Sequence, residues 1–242
     1  MSEIPDISSC TAAILAGGLG TRLRSVISDR PKPMAEVNGR PFITYVLDQL
    51  IDAGIKRAVI CTGYLGEKVK TSLGDHWRAL QLSYSQEKVR LGTAGALRLA
   101  APQIPSDNVL VMNGDSYLSA NLQEFWIWRH IHLVQASMVL AQAPDTRQFG
   151  RIQVDENSGR ILKFEEKGNI QGAGWINAGI YLLPKSMLEV IPANQEVSLE
   201  KDCLPKWITM GFYGYQSQGR FLDIGLPETY AIASNFFTGG AT

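Results

Sequence analysis

The fold is decided by the stretch from Thr11 to Leu23, which reads TAAILAGGLGTRL. Its first part is an apolar run of the kind that forms a strand buried on both faces of a sheet. Its second part is rich in glycine, so backbone N–H groups can approach an anion closely, and Arg22 adds a charge that can bind phosphate oxygens. The stretch predicts a strand that leads into a phosphate-binding loop, although a bare glycine cluster of this kind also fits a tight strand-to-helix turn.

Two familiar phosphate loops do not fit this stretch. The P-loop needs the pattern G-x-x-x-x-G-K-[ST], which occurs nowhere in the chain. The dinucleotide fingerprint needs G-x-G-x-x-G and an acidic residue at the end of the second strand. Here Gly20 is followed by TRL, and the second apolar run ends in CTG at residues 61–63. The sequence therefore argues against a P-loop enzyme and against a nicotinamide oxidoreductase.

Strands and helices alternate over the first part of the chain. Further strands are predicted at residues 58–61, 80–85 and 108–112, and helices at residues 41–54 and 93–101. Pro41 suits the first turn of its helix, and Gly54 ends that helix. The alternation predicts an α/β protein, a Rossmann-like three-layer α/β/α sandwich whose mainly parallel sheet is covered on both faces.

The pattern changes after about residue 135, where strands follow one another with few helices between them. These strands are predicted at residues 137–141, 151–154, 160–164 and 176–182, and a closing helix at residues 227–237. We expect the added strands to make the sheet mixed and to form a second β region over the carboxyl ends of the first strands. One domain then has two halves, about residues 11–135 and about residues 136–242.

The composition limits the partners and the compartment. The 242 residues carry 23 basic and 23 acidic side chains, so the chain lacks the basic surplus that a nucleic-acid binder needs. The three cysteines are far apart and show no metal-ligand spacing, which favours reduced thiols. No apolar run approaches the roughly 18 residues that span a bilayer, and no signal peptide is recognisable. We expect a cytoplasmic protein that binds neither nucleic acid nor membrane.

The glycine-rich stretch gains specificity from a lysine that follows it between two prolines. Residues 17–23, followed by PKP at residues 31–33, resemble the signature of the sugar-1-phosphate nucleotidyltransferase family, and the resemblance extends from Ala13 to Tyr230. It implies the nucleotide-diphospho-sugar transferase fold, with the first half of the chain binding nucleotide and the second binding sugar phosphate. The implied reaction joins a nucleotidyl group from a nucleoside triphosphate to a sugar 1-phosphate and releases pyrophosphate.

The resemblance also implies roles for individual residues. The implied catalytic residues are Arg22, Lys32 and Lys167. The implied nucleotide-binding residues are Leu15, Gly17, Gly18, Gly20, Thr21, Glu87, Gly92, Thr93, Gly95 and Gly114. The implied sugar-phosphate-binding residues are Gly150, Glu166, Lys167 and Asn177.

The resemblance also assigns a metal site to two aspartates that follow apolar stretches. Asp115 comes just after a predicted strand, at the end where open α/β sheets bind ligands, and Asp223 follows another apolar stretch. The family holds a magnesium ion with two such aspartates, and hard carboxylate oxygens suit Mg²⁺. The resemblance therefore implies Mg²⁺ as the cofactor.

The base and the sugar are less sharply defined than the reaction. Glu87 is an acceptor that suits the N1–H and N2–H₂ donors of guanine, so GTP is the expected donor substrate. Within the family, FEEK at residues 164–167 and SLEKD at residues 198–202 most resemble D-glycero-α-D-manno-heptose 1-phosphate guanylyltransferases. These enzymes would supply a heptose for a bacterial capsule or surface glycan. Arg90 and Ala94 depart from their pattern, which leaves mannose 1-phosphate open as the acceptor.

Two other functions are compatible with the same fold. One is a uridylyltransferase or other nucleotidyltransferase that acts on a different sugar 1-phosphate. Another is a non-catalytic sensor of nucleotide sugars, although a sensor has little need for both aspartates. A homodimer is compatible with the sequence.

Overall fold

A ten-stranded sheet forms the centre of the computed structural model, which describes residues 4–18, 20–23, 26–27, 29–165 and 171–238. The strands are β1 (Thr11–Leu15), β2 (Glu36–Val37), β3 (Arg40–Pro41), β4 (Arg57–Thr62), β5 (His76–Trp77), β6 (Leu80–Gln86), β7 (Asn108–Asn113), β8 (Ser116–Leu118), β9 (Ser137–Ala143), β10 (Arg151–Val154), β11 (Ile161–Glu165), β12 (Gly174–Pro184), β13 (Tyr213–Ser217) and β14 (Phe221–Asp223). The α-helices are α1 (Ile43–Asp52), α2 (Gly66–Leu73), α3 (Gly92–Ala100), α4 (Leu122–Ile131), α5 (Lys185–Glu189), α6 (Leu204–Gly211), α7 (Pro227–Ala231) and α8 (Ala233–Phe237). Short 3₁₀ turns lie at Ile7–Ser9, Thr21–Leu23, Lys32–Met34 and Ala101–Gln103, and a π-helical turn lies at Leu199–Cys203.

The order of the strands confirms the predicted parallel core. Across the sheet the order is β11-β10-β12-β7-β1-β4-β6-β5, with β9 beside β12 and β13 beside β9. β1 lies between β4 and β7 and is parallel to both, and β6 continues the parallel part beyond β4. The carboxyl ends of these strands therefore lie at one edge of the sheet, where open α/β folds bind their ligands.

Consecutive residues of β1 face opposite layers of the molecule. Ala12 and Ile14 pack in one core with Leu47 of α1, whereas Ala13 packs in a second core with Leu97 of α3. Side chains alternate between the two faces of a strand. A strand that is apolar at every position can therefore serve both layers, which confirms the predicted three-layer sandwich.

The strands of the second half continue the same sheet. β12 runs antiparallel along β7, with Ile180 opposite Met112. β9 pairs with β12 in the antiparallel sense, and β13 pairs with β9 in parallel. The sheet is mixed, as predicted, but the added strands lie beside β7 as well as beyond its end. The physical reason is that an uncovered β7 would leave a row of backbone N–H and C=O groups unpaired, and β12 satisfies them.

Two predicted helices differ from the structure at their bounds. Pro41 lies in β3, and α1 begins only at Ile43. Proline has a fixed φ and no N–H, so it fits the edge of a two-stranded ribbon as well as a first helical turn. The closing helix predicted at residues 227–237 is divided at Ile232 into α7 and α8. Stacking of a ring of α8 on Tyr45, at a centroid distance of 3.7 Å, docks the second of these helices on α1.

Several elements have no clear signal in the sequence, among them α2, α4, α6 and β13. In α4, Phe125 and Trp126 are buried, while Ile127 and Ile131 are exposed. Apolar residues on both sides of α4 weaken its helical periodicity. None of the helices in the described part of the chain is long and apolar enough to cross a membrane.

Candidate active site

The glycine-rich loop begins where the carboxyl ends of three parallel strands meet. The N–H of Ala16 donates to Cys61 O at 2.8 Å, and the N–H of Gly114 donates to Leu15 O at 2.9 Å. These bonds join the ends of β4, β1 and β7. A Cβ on Gly114 would lie 2.9 Å from the Leu15 carbonyl oxygen, so the close approach of the two segments requires glycine there.

The described glycines of the loop differ in what their surroundings allow. A Cβ on Gly17 would lie 3.2 Å from Gly63 N, so the ends of β1 and β4 could not approach as closely. Gly20 has a φ of 58°, and its Cβ would lie 3.1 Å from the Cβ of Lys32. Among the described residues, none lies within 4 Å of the Cβ position of Gly18, which is exposed. Packing among the described residues therefore does not require glycine at this position, and this side of the loop is open.

The residues around the 3₁₀ turn after the loop are placed only in part. Arg22 is exposed, and none of the described residues forms an ion pair with it. Thr21 lies in the same turn, but its side chain is outside the described part of the chain, as is all of Leu19. An exposed guanidinium beside a glycine loop is available to bind an anion.

Lys32 contacts both aspartates that the sequence assigns to the metal. Its Nζ lies 2.8 Å from Asp115 Oδ2 and 3.2 Å from Asp223 Oδ1. The lysine side chain is only 10% exposed, whereas the two carboxylates are 36% and 30% exposed. Burial of the ammonium opposes its charge, but the two carboxylates outweigh that effect and raise the pKa of Lys32 above its ordinary value. These three residues form the lysine–aspartate cluster.

A short antiparallel ribbon brings the two aspartates together. Asp223 is the last residue of β14 and pairs with Ser116, the first residue of β8. The N–H of Ile224 donates to Asp115 O at 3.1 Å, and the N–H of Gly225 donates to Asp223 Oδ1 at 2.6 Å. Backbone pairing therefore positions both aspartates before any ligand binds.

The lysine–aspartate cluster suits a divalent ion that prefers oxygen ligands. Mg²⁺ is commonly held by one or two carboxylates together with substrate phosphates. Asp115 and Asp223 offer two partly exposed carboxylates of this kind. Among the described residues, no three His, Cys, Asp or Glu side chains are grouped as a metal site. The donor set therefore fits a metal whose coordination a substrate completes.

Glu87 lies where the ends of β1 and β4 meet the start of α3. Its Oε2 accepts a hydrogen bond from Leu91 N at 3.0 Å. Its Oε1 lies against Gly63, where a Cβ would be only 2.6 Å away. Burial raises the pKa of Glu87 above its ordinary value, and the Leu91 N–H and the charge of Arg90 reduce this effect. Glu87 is half-buried, so its carboxyl group is partly accessible from solvent.

Two of the glycines that the resemblance assigns to nucleotide binding, Gly92 and Gly95, pack against the chain itself. A Cβ on Gly92 would lie 2.5 Å from Val197 O, and one on Gly95 would lie 2.8 Å from Gln195 O. The Val197 carbonyl also accepts hydrogen bonds from the N–H groups of Ala94 and Gly95, at 3.0 and 3.2 Å. The close approach of residues 195–197 requires glycine at both positions, whereas the role of these glycines in nucleotide binding stays a prediction.

Thr93 is likewise engaged within the chain. Its hydroxyl donates to Glu200 Oε2 at 3.0 Å and accepts from Leu199 N at 2.7 Å. Ser198 Oγ donates to the same oxygen of Glu200 at 3.2 Å. Through these hydrogen bonds, Glu200 links Ser198 to Thr93 at the start of α3. Sequence reasoning assigns Glu200 no role, because it lies 107 positions from Thr93 and only the fold brings them together.

Replacing Gly92 with alanine should destabilise the protein strongly. Gly92 has a φ of 71°, which costs an alanine about 1–2 kcal/mol, and the new Cβ would also collide with Val197 O. Gly39 is a matched control, because its φ is 76° but no described atom lies within 4 Å of its Cβ position, in the exposed turn between β2 and β3. We expect Gly92→Ala to lower the free energy of unfolding in urea by about 2 kcal/mol more than Gly39→Ala, since overpacking costs about 1–3 kcal/mol. Equal losses in the two variants would contradict the packing explanation.

The structure describes two of the four residues that the resemblance assigns to the sugar phosphate, Gly150 and Asn177. Gly150 has a φ of 79°, and its Cβ would lie 2.7 Å from Glu165 O, so the pairing of β10 with β11 requires glycine there. Asn177 is half-buried in the part of β12 that extends beyond the end of β7. Glu166 and Lys167 lie outside the described residues. Their roles stay predictions from the sequence.

Comparisons with known proteins agree on one family. Residues 11–239 match the family described as Nucleotidyl transferase. The D-glycero-alpha-D-manno-heptose 1-phosphate guanylyltransferase of Aneurinibacillus thermoaerophilus is 37% identical over 92% of this chain and 96% of its own length. The mannose-1-phosphate guanylyltransferase of Mycobacterium tuberculosis is 32% identical over 92% of this chain, but the chain spans only 63% of that enzyme. The crystal structure of HddC from Yersinia pseudotuberculosis, also solved complexed with GMP-PN, has a TM-score of 0.83 at 33% identity and covers 94% of this chain and 99% of its own.

Proposed function

Because the chain belongs to the nucleotidyl transferase family, we propose that it transfers GMP from GTP to D-glycero-α-D-manno-heptose 1-phosphate and releases pyrophosphate. The observation that carries the proposal is the open glycine loop beside the lysine–aspartate cluster, at the carboxyl edge of a parallel sheet. The choice of guanine and heptose is supported by the heptose 1-phosphate guanylyltransferase that is 37% identical and matched over nearly its whole length.

The proposed reaction requires two anionic substrates to be held in line. An oxygen of the sugar phosphate attacks the α-phosphorus of GTP, the bond from that phosphorus to the bridging oxygen breaks, and pyrophosphate leaves with the electron pair. The attacking oxygen is already ionised near neutral pH, so no general base is needed. The protein therefore contributes positioning and charge stabilisation, which dominate phosphoryl transfer.

In this proposal, some cationic side chains bind the triphosphate and another binds the sugar phosphate. Arg22 and the amides of the glycine loop would bind the β- and γ-phosphates, which leave together. Lys32, which packs against Gly20 of that loop, would stabilise charge near the α-phosphate. Lys167 would orient the attacking phosphate from the sugar side. Arg22 is exposed, and Lys32 lies between two carboxylates next to Gly20, so both positive charges lie at the same edge of the sheet.

Asp115 and Asp223 would hold the magnesium ion that the family resemblance implies. Such an ion neutralises phosphate charge and polarises the phosphorus–oxygen bonds. Lys32 balances the same two carboxylates, so the negative charges do not face each other unpaired in the ion-free protein. The chain's own contribution is to fix the two aspartates on the β8–β14 ribbon at the end of β7.

Glu87 would select guanine. Guanine presents N1–H and N2–H₂ as adjacent donors, and a carboxylate can accept hydrogen bonds from both. One oxygen of Glu87 accepts from Leu91 N, which fixes the direction of the carboxyl group and leaves the other oxygen and further lone pairs for the base. In this proposal, recognition of the base depends on Glu87 more than on Gly92 and Gly95, which pack against residues 195–197.

Replacing Glu87 with glutamine should lower the preference for GTP. One acceptor oxygen becomes an NH₂ group that faces the donors of guanine, so we expect kcat/KM for GTP to fall by about 10²-fold, with a much smaller change for UTP. Pyrophosphate release with each triphosphate measures the ratio. Glu189→Gln is the matched control, since Glu189 is exposed and its ion pair with Lys185, at 3.8 Å, lies at the opposite edge of the sheet, beside the amino end of β7. An unchanged ratio of GTP to UTP in Glu87→Gln would exclude Glu87 from base recognition.

A panel of substrates tests the proposed function as a whole. Pyrophosphate release is measured for GTP, ATP, UTP and CTP, each with heptose, mannose or glucose 1-phosphate. We expect the highest kcat/KM for GTP with heptose 1-phosphate. A higher value with mannose 1-phosphate would assign the chain to the second candidate activity, which the 32% identical relative favours. Preference for UTP would contradict the guanylyl assignment, and no product with any pair would favour a nucleotide-sugar sensor.

The cellular setting follows from the proposed product. A GDP-heptose is an activated sugar, so it would supply a glycosyl transfer that builds a bacterial capsule or another surface polysaccharide. Both substrates are charged phosphates that do not cross bilayers, which favours a cytoplasmic enzyme.

A further inference from the structure

The long strand β12 is irregular between Asn177 and Tyr181. Asn177 lies opposite Leu140 of β9, whereas Tyr181 lies opposite Met138, so four steps along β12 correspond to two steps along β9. β12 therefore carries extra residues at this point, as in a β-bulge. The bulge lies where β12 passes the end of β7, close to the start of the segment that carries Asp115.

The bulge brings two polar side chains into contact. In a regular strand, residues four positions apart are separated by about 13 Å. Here Asn177 Nδ2 donates to Tyr181 Oη at 2.6 Å, and Asn177 Oδ1 accepts from the N–H of Gly179 at 2.9 Å. Gly179 has a φ of 75°, and a Cβ on it would lie 2.5 Å from Asn113 Nδ2. Both ends of the Asn177 carboxamide are therefore fixed by the bulge.

Tyr181 has the properties of a fixed hydrogen-bond acceptor. Its side chain is completely buried. Burial and the nearby charge of Glu200 raise the pKa of Tyr181 well above its ordinary value, and the hydrogen bond from Asn177 offsets this only in part. The hydroxyl thus stays neutral and accepts from Asn177. Asn177 itself is half-buried and keeps one N–H and one oxygen lone pair for another partner.

We propose that Tyr181 is a positioning residue of the acceptor site, which orients the Asn177 carboxamide so that its remaining N–H and oxygen bind a hydroxyl group of the sugar 1-phosphate. The inference rests on the proposed function, in which Asn177 contacts the sugar. A buried Tyr181 does not touch the substrate, so it acts only through Asn177. An amide that is oriented before the sugar arrives loses less entropy when it binds.

The variant Tyr181→Phe removes the hydroxyl and keeps the ring. We expect the KM for the sugar 1-phosphate to rise by about tenfold, with little change in kcat or in the KM for GTP, because one orienting hydrogen bond is worth about that factor in binding. Tyr84→Phe is the matched control. Tyr84 is half-buried in β6, and its hydroxyl donates to Gly74 O, away from Asn177. Its loss should leave both KM values unchanged.

A double-mutant cycle separates positioning from a general structural role. In an Asn177→Ala background, Tyr181→Phe should cause no further rise in the KM for the sugar phosphate, because its effect passes through Asn177. Additive effects of the two substitutions would overturn the proposal. An equal rise in the KM for GTP would also overturn it, and so would wild-type KM values in Tyr181→Phe.

A measurement without substrate distinguishes failure of this inference from failure of the proposed function. In ¹H–¹⁵N spectra, one proton of the Asn177 side-chain NH₂ should be protected from solvent exchange in the wild type and should lose that protection in Tyr181→Phe. This result supports the orienting contact even if every sugar phosphate of the panel is inert, in which case only the proposed function is contradicted. Absence of protection in the wild type overturns the inference whatever the activity.

Discussion

Replacing Asp223 with asparagine is expected to abolish turnover while the protein stays folded. Asparagine keeps the size of the side chain and an oxygen that can accept the hydrogen bond from Gly225 N, which measures 2.6 Å. It removes the charge that faces Lys32 and that would bind Mg²⁺. Because charge stabilisation dominates phosphoryl transfer, we expect kcat to fall by at least about 10³-fold.

Pyrophosphate release at saturating GTP, sugar phosphate and Mg²⁺ measures this loss, and circular dichroism checks the fold. Asp75→Asn is the matched control, since Asp75 is exposed in the turn that follows α2 and should be dispensable. A folded Asp223→Asn variant with a near-normal kcat would remove Asp223 from the metal site.

Replacing Lys32 with methionine is expected to lower kcat by about 10²- to 10³-fold and to make the stability of the protein depend on Mg²⁺. Methionine keeps an apolar stem of similar length but carries no charge. Asp115 and Asp223 would then face each other without a cation, and their repulsion should lower the Tm of the ion-free protein. Mg²⁺ should restore the Tm, because a ligand that binds only the folded state stabilises it.

Thermal unfolding in EDTA and in excess Mg²⁺ measures the second effect. Lys185→Met is the matched control. Lys185 directly follows β12, whose last residue lies beside the amino end of β7. Lys185 is therefore at the opposite edge of the sheet from the lysine–aspartate cluster. Its partner Glu189 lies 3.8 Å away in the same helix. The control should respond to Mg²⁺ like the wild type. An equal rise in Tm on addition of Mg²⁺ in Lys32→Met and in the wild type would contradict a shared role of lysine and metal.

The parallel core can be predicted from the sequence because its strands are apolar at consecutive positions. The runs at residues 58–61 and 108–112 carry that signal without help from their neighbours, and both lie in the observed strands. β13 cannot be predicted in this way. It contains Gly214 and Gln216, and its parallel pairing with β9 is what makes it a strand. Pairing between distant segments is a tertiary property, which local pattern does not encode.

The candidate site can be predicted where a function requires a residue type, and not where packing decides. The resemblance identifies the lysine–aspartate cluster, and the structure brings its three members within hydrogen-bond distance. Only the fold explains why residue 92 is glycine, since a side chain there would collide with Val197 O. The contact of Asn177 with Tyr181 also depends on the fold, because it needs a bulge whose position the sequence pattern does not fix.

The most direct test of guanylyltransferase activity is the product that forms from GTP and D-glycero-α-D-manno-heptose 1-phosphate in the presence of Mg²⁺. Mass spectrometry identifies the nucleotide sugar, and a coupled assay of the same reaction measures pyrophosphate. We predict GDP-heptose and pyrophosphate in equal amounts from the wild type, and neither from Asp223→Asn. Pyrophosphate without GDP-heptose, or no product from GTP with any of the sugar phosphates, would contradict the proposed function.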